Sequence, residues 1–380
     1  MKKVINNNGE ELKTMAYRIF TINPGSTSTK IALFEGEECL FSRNVSHAAE
    51  DLAKFHSLNE QLDYRMGMIL DLLAEQGIDL ATVDAYVGRG GGLLSIEGGT
   101  YTINDVLLDH ARTCKNGVLH PATLGPQIAL ALADKYGKPS FVVNPPDTDE
   151  YSDLARVTGI KGVYRHCHLH ALNLRETAIR HANAMGKKYE DCNFIVCHLG
   201  GGVSISAHLK GKMVDGNDIV AGEGPMAPTR CGAIPVFELS NYIAKQGGDL
   251  KAVKGLCSRT GGFVSLLGTS DAVEVSNAAE AGDRQAWLAW HGMIYQFAKY
   301  IGSMAAVLKG QVDGILLGGG MVHNKQLVEE IREYCEWIAP VSAYPGEFEM
   351  EAMAAGAIRV LDGVEEAKTY TGEPRWVDPE

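Results

Sequence analysis

The feature that most constrains this chain is a strand–loop–strand element that occurs twice. Tyr17 to Ile22 is apolar and strand-like, Asn23-Pro24-Gly25-Ser26-Thr27-Ser28-Thr29 is a polar loop, and Lys30 to Phe34 resumes a strand. A turn at Glu35-Gly36-Glu37-Glu38 leads to a third strand, Cys39 to Val45. The second copy aligns without gaps: Gly25 falls on Gly200, Thr29 on Ser204, Ala32 on Ala207 and Gly36 on Gly211. Two short glycine loops can match by chance, but apolar strands enter both copies, and the shared context favours an internal duplication. A P-loop or dinucleotide loop must lead from a strand into a helix whose first amides hold phosphate, and here a strand follows instead. The pattern predicts an α/β protein of two similar lobes, each opening with a hairpin that carries a polar loop, with a cleft between them.

Helical periodicity fills the intervals. Leu62, Met66, Ile69 and Leu73 stop at Gly77, and Ile128, Leu132 and Tyr136 stop at Gly137, where glycine suits a left-handed cap. Leu327, Ile331, Tyr334 and Ile338 read alike. The longest stripe runs from about Arg284 to Lys309 through Trp287, Trp290, Ile294, Phe297, Ile301, Met304 and Leu308; it serves as core or as a subunit interface. Residues 1–15 lack the apolar run of a signal peptide and read as a disordered extension, and after about Gly363 the chain turns polar and reads as a fraying tail, 364–380.

The length, 380 residues, suits two domains with substantial cores. A formal charge of −12 argues against nucleic-acid or anionic-membrane partners, which need basic surface. Eight cysteines without a C-x-x-C pair point away from a zinc site or a disulfide framework and toward a reducing, cytoplasmic setting. The histidines and cysteines of Tyr164-Arg165-His166-Cys167-His168-Leu169-His170 lack a second ligand cluster, so structural zinc is not expected.

Chemistry-bearing residues gather at the glycines. Both loops allow backbone amides and hydroxyls to approach phosphate, and Lys30 adds charge to the first. A third cluster, Gly318-Gly319-Gly320, follows a strand-like run and could admit an adenine or ribose, although close helix packing would give the same residues. Arg89 in Gly88-Arg89-Gly90-Gly91-Gly92 and Arg230 in Pro228-Thr229-Arg230-Cys231-Gly232 lack bulky neighbours, and a guanidinium matches carboxylate and phosphoryl oxygens; a surface arginine at a turn is the plain alternative. His198 opens the second glycine loop as a donor to phosphate.

These residues together resemble the acetate and butyrate kinase family of the actin-like ATPase superfamily, from about Tyr17 to Leu361. The family's opening signature stands here as Asn23-Pro24-Gly25-Ser26-Thr27-Ser28-Thr29-Lys30 and its second as Cys197-His198-Leu199-Gly200-Gly201-Gly202. The resemblance implies two actin-like, ribonuclease H-like lobes. The first would span 16–145 and be completed by a C-terminal helix at about 350–363; the second, 146–349, would carry the nucleotide site. It implies that Arg89 and Arg230 hold the substrate carboxylate and stabilise the phosphoryl group in flight, and that His170 and His198 contact its equatorial oxygens. Asn23, Ser26, Ser28 and Lys30 would line the phosphate and metal region. Gly200, Gly201, Asp271 and Gly318 to Gly320 would lie near ATP or ADP. Glu349, with Glu347 as the alternative, would be linked to magnesium, and at least a homodimer is implied.

One departure stands out. Where the family places an aspartate, this chain has Val143-Asn144-Pro145-Pro146-Asp147-Thr148-Asp149, so Asp147 or Asp149 substitutes as a metal ligand, or Glu349 carries more of the task. A carboxylate acceptor is ionised at neutral pH and needs no general base, which fits the loss of that acid. Gly90 and Gly91, where acetate kinases carry bulkier residues, would open an acyl pocket, favouring butyrate or isobutyrate over acetate or propionate. The rival class is an actin-superfamily ATPase that releases phosphate to water.

Overall fold

In the computed structural model, residues 2–5 and 11–379 are described, with side chains from Ala16 onward. The extension expected at 1–15 falls in part on residues 1 and 6–10, outside the described residues. Lys2–Ile5 (β1) and Glu11–Met15 (β2) pair as antiparallel strands.

The chain falls into two units, one of the described residues up to Asp149 with Phe348–Val377, the other Glu150–Glu347 with the described residues after Val377. In the first, Arg18–Pro24 (β3), Ser28–Glu35 (β4) and Glu38–Ser46 (β5) form an antiparallel meander. Ala85–Gly88 (β6) pairs parallel with β3, and Ser140–Val143 (β8) pairs parallel with β6. Thr100–Thr102 (β7) runs antiparallel to β8, and Lys368–Thr369 (β14) closes a seven-stranded sheet ordered β14-β7-β8-β6-β3-β4-β5. The polar tail therefore does not simply fray: it adds an edge strand, and Tyr370 is buried, its hydroxyl meeting the Leu94 amide at 3.0 Å and His110 Nδ1 at 2.7 Å.

The second unit repeats the plan. Asn193–Leu199 (β9), Val203–Leu209 (β10) and Lys212–Gly216 (β11) form the meander, and Gly314–Gly319 (β12) and Val341–Pro345 (β13) extend it in parallel, in the order β11-β10-β9-β12-β13. The duplication read from sequence holds strand for strand, β3 with β9 and β4 with β10, and both hairpin turns use a glycine at positive φ, Gly36 at 61° and Gly211 at 81°. Every residue of β9 is buried, as a central strand covered on both faces requires. Its alternate side chains enter different cores: Ile195, Cys197 and Leu199 pack with the long helix Arg284–Val307, and Phe194 and Val196 with the helix Ala171–Ala184.

The helical stripes are confirmed with one refinement. Leu62–Glu75 buries Ile69 and Leu73, and Leu124–Tyr136 ends on Gly137 in the left-handed region. On Arg284–Val307, residues Trp290, Ile294, Phe297 and Ile301 are core, while Trp287, Leu288 and Tyr295 are exposed. The C-terminal helix Glu349–Leu361 packs against β3 and β8 of the first unit, with Gly356 so close to Val143 that a Cβ there would lie 2.5 Å from Cγ1.

Candidate active site

In the first unit, β3 ends in Asn23 and Pro24, and the loop Gly25 to Thr27 turns into β4. Asn23 lies opposite Lys30 in the register. Ser26 and Lys30 are exposed and Ser28 half-buried. Asn23 Nδ2 donates to Glu349 Oε2 at 2.9 Å, and Arg89 Nη2 lies 3.7 Å from Glu349 Oε1. The start of the helix Glu349–Leu361 thus delivers its first carboxylate to the end of β3 and to Arg89.

Arg89 follows β6 and is 8% exposed, its amide bonded to Ile22 O at 2.8 Å and Nη1 to Asn144 O at 3.4 Å. It is seated by glycines: a Cβ on Gly88 would lie 2.3 Å from the Gly125 carbonyl, and one on Gly125 would lie 2.3 Å from Arg89 O. A side chain at either position would push the helix Leu124–Tyr136 off the strand end. His120, which the sequence reading passed over, belongs to this group. Desolvation and then the Arg89 guanidinium hold its imidazole below the ordinary value, with Glu349 opposing.

In the second unit the two histidines stack, ring centroids 4.0 Å apart at 16°. His170 occupies the N-cap position of the helix Ala171–Ala184, and both its amide and Nδ1 meet Ser204 Oγ, at 3.2 and 2.8 Å. Asn173, in the first turn of that helix, donates from Nδ2 to His198 Nδ1 at 2.8 Å. In the neutral ring this places the proton on Nε2, the edge facing Glu347 Oε1 at 3.6 Å. One helix start therefore sets both imidazoles.

Arg230 sits in space that Gly202 leaves free: a Cβ on Gly202 would lie 1.6 Å from Arg230 Nη1. Its Nε and Nη1 are buried without a hydrogen-bond partner, and burial lowers its pKa, Asp218 opposing. A desolvated guanidinium with unmet donors is prepared for an anion. Thr229 Oγ1 ties the same segment to the glycine loop, bonding Gly201 O at 2.9 Å.

Beside these residues lies a cavity of about 280 Å³ whose wall includes Gly200, Gly201, Gly320, Ser276, Trp290 and Glu347. Gly320 borders open space, whereas Gly318 and Gly319 are packed; a Cβ on Gly319, at φ 98°, would lie 2.3 Å from Leu199 O. Asp271 caps the helix Ala272–Glu280, its Oδ1 accepting from Val273 and Glu274 at 2.8 and 3.2 Å. Its neighbours Ser270 and Ala272, rather than Asp271, line the cavity.

Three sequence expectations are revised. Asn144 is no vacated metal ligand: it adopts φ 38°, and its side chain accepts from the Gly99 amide at 2.7 Å while its own amide donates to Gly99 O at 3.0 Å. Asparagine tolerates that left-handed conformation and makes these buried bonds. Asp147 Oδ1 accepts from Asn116 Nδ2 at 2.6 Å, and among the described residues no three His, Cys, Asp or Glu side chains form a metal-binding group. Gly90 does not open an acyl pocket, since a Cβ there would lie 2.5 Å from Val142 Cγ1 and 2.7 Å from Pro145 Cβ. Only Gly91 keeps ordinary clearance, 3.7 Å from Ala122 Cβ. Glu347 and Glu349 also separate, Glu347 to His198 and the cavity, Glu349 to Asn23 and Arg89.

Residues 146–337 match the Acetokinase family. Two proteins of Clostridium botulinum, strains Alaska E43 and Eklund 17B, each named a probable butyrate kinase, are 43% identical over 356 residues, covering 94% of this chain and all of theirs. The chain belongs to the Acetokinase family. Solved structures share this family fold: an acetate kinase from Porphyromonas gingivalis, TM-score 0.75 at 19% identity, covers 91% of this chain and 100% of its own. An acetate kinase from Entamoeba histolytica, TM-score 0.70 at 18% identity, covers 89% and 98%. The actin-like fold class is thereby that of the family, and its chemistry is carboxylate kinase chemistry.

Proposed function

We propose that this Acetokinase family protein transfers a phosphoryl group between ATP and butyrate, or isobutyrate, forming butyryl phosphate and ADP. The observation that carries the reading is the Arg230 guanidinium, whose buried Nε and Nη1 have no hydrogen-bond partner, in the space left by Gly202 and accompanied in its unit by the stacked His170 and His198. Such donors answer the spread negative charge of a phosphoryl group in flight. A carboxylate oxygen attacks the γ-phosphorus, the bond to the β-phosphate oxygen breaks, and ADP leaves with the electron pair. The nucleophile is ionised beforehand, so no side chain need accept a proton.

In this reading Arg89 holds the substrate carboxylate, Arg230, His170 and His198 meet the equatorial oxygens, and Asn23, Ser26, Ser28 and Lys30 serve phosphate. Adenosine occupies the cavity edged by Gly200, Gly201 and Gly320. Magnesium would be held by Glu349 and Asn23: a partly exposed carboxylate beside an amide suits an ion that keeps its waters and takes substrate phosphates as ligands. When bound it would neutralise phosphate charge. Butyrate is preferred because the relatives of 43% identity carry that name and Gly91 leaves clearance beside Ala122 and Thr123. We read the enzyme as cytoplasmic, working toward ATP synthesis, and homodimeric, with exposed Trp287, Leu288 and Tyr295 as its candidate interface.

Hydroxamate formation from ATP, hydroxylamine and each of acetate, propionate, butyrate and isobutyrate tests this. Butyrate or isobutyrate should give the highest kcat/KM. A clear acetate preference overturns the choice of acid, and ATP hydrolysis indifferent to every carboxylate overturns the kinase reading in favour of an ATPase.

A further inference from the structure

Beneath the first glycine loop lies an arginine that no sequence motif marked. Arg65, in the helix Leu62–Glu75, has no exposed surface. Nη1 donates to Gly25 O at 2.9 Å, Ser28 O at 3.3 Å and Thr29 Oγ1 at 3.1 Å; Nη2 donates to Ser26 O at 3.3 Å; Nε donates to Gln61 Oε1 at 3.0 Å. Every acceptor is neutral, and Arg65 has no ion pair among the described residues. A desolvated cation is costly without countercharge, and dipoles offset only part of that cost.

The direction of these bonds has a geometric consequence. No cis peptide occurs among the described residues, and in a trans peptide the carbonyl and the following N–H point opposite ways. Gly25 O and Ser26 O both turn inward onto the guanidinium. The Ser26 and Thr27 amides therefore turn outward, and among the described residues neither donates to a protein acceptor. Consecutive free amides at a glycine turn form an anion-binding concavity.

We propose that Arg65 is a positioning residue for nucleotide phosphate: by gripping the Gly25 and Ser26 carbonyls from behind, it fixes the Ser26 and Thr27 amides outward as a phosphate-binding pair. The bound phosphate supplies the countercharge that Arg65 lacks, across the turn. The inference rests on the kinase reading and deepens it by assigning the loop's backbone, more than its hydroxyls, to phosphate.

The test uses Arg65→Lys, which keeps the charge and loses the planar fork, and compares ATP with adenosine by calorimetry. Affinity for ATP should fall about tenfold or more while adenosine affinity stays within about twofold, and KM for ATP should rise while KM for butyrate does not. Thr27→Pro, which deletes one outward amide and leaves Arg65 in place, carries the same expectation should Arg65→Lys fail to fold. Equal losses for ATP and adenosine, or a lowered Tm with unchanged ATP affinity, make Arg65 merely structural and overturn the proposal. Hydroxamate formation by the wild type separates the two readings. With it intact, an unselective Arg65→Lys sinks only the positioning role; its absence, with no phosphate-dependent nucleotide binding, sinks both.

Discussion

Single atoms decide the most at Gly202 and at the glycines after Arg89. A methyl group at Gly202 would occupy the position of the Arg230 guanidinium, so Gly202→Ala should expel that side chain and lower kcat about 10²-fold or more, the scale of losing a charge-stabilising donor. Circular dichroism should show the fold retained, and near-normal turnover would show that Arg230 acts from another position. The run Gly90-Gly91-Gly92 looks uniform in sequence, yet its members differ. Gly90→Ala must displace Val142 and Pro145 and should destabilise by about 1–3 kcal/mol, read as a lower Tm. A Cβ at Gly91 would keep ordinary contact distances to Ala122 and Thr123, so Gly91→Val should lower Tm less than Gly90→Ala while shifting the kcat/KM ratio toward acetate. An unaltered acid profile in Gly91→Val would remove Gly91 from the acyl pocket.

Among the elements, the start of the helix Ala171–Ala184 does the most for the site. His170 stands at its N-cap position and Asn173 in its first turn bonds His198 Nδ1, so a one-turn shift would misplace both imidazoles. Asn173→Leu keeps the γ-branched shape and does not lower helix propensity, but it removes the amide and frees Nδ1 to carry the proton, so kcat should fall about 10- to 100-fold, the scale set by bonds that orient metal-binding histidines. The loss should appear chiefly in kcat and in the pH profile, with adenosine affinity unaltered. The helix Glu349–Leu361 plays the matching role in the first unit. Its first residue meets Asn23 and Arg89 while Gly356 lets its middle lie against Val143.

At the scale of the whole molecule, buried neutral histidines set acid stability. Burial and then Arg175 lower His208 to about 3, and burial and then Arg65 lower His47 to about 4, from an ordinary 6.5. Between these values and 6.5 the unfolded chain binds protons that the folded chain refuses, so stability falls as pH drops below about 6.5. Each group contributes up to about 1.4 kcal/mol per pH unit in its window. Tm should decline from pH 7 to pH 5, and His208→Gln should flatten that decline; an unchanged slope would remove His208 as a source. His208 bonds Tyr189 Oη and Ser206 Oγ deep in the second unit, far from any role in transfer.

Much of this was legible in the sequence because it is local. A strand period of two, glycine at tight turns and apolar stripes at helical spacing act between near neighbours, and they were enough for the duplicated meanders, the capped helices, the strand ends that carry Asn23 and His198 and the segments that carry Arg89, His170 and Arg230. What sequence could not reach depends on partners far along the chain. Asn144 looked like a lost acid until its pairing with Gly99 appeared, 45 residues away. Arg65 and the Gly25 carbonyl are 40 apart, and Arg89 draws Glu349 from the C-terminal helix. Local chemistry determined which elements form and which loops are polar. Only the tertiary structure decided which glycine makes room for a guanidinium, which acid meets which cation and which way a loop's amides face, because those outcomes are set by contacts that exist only once the chain has packed.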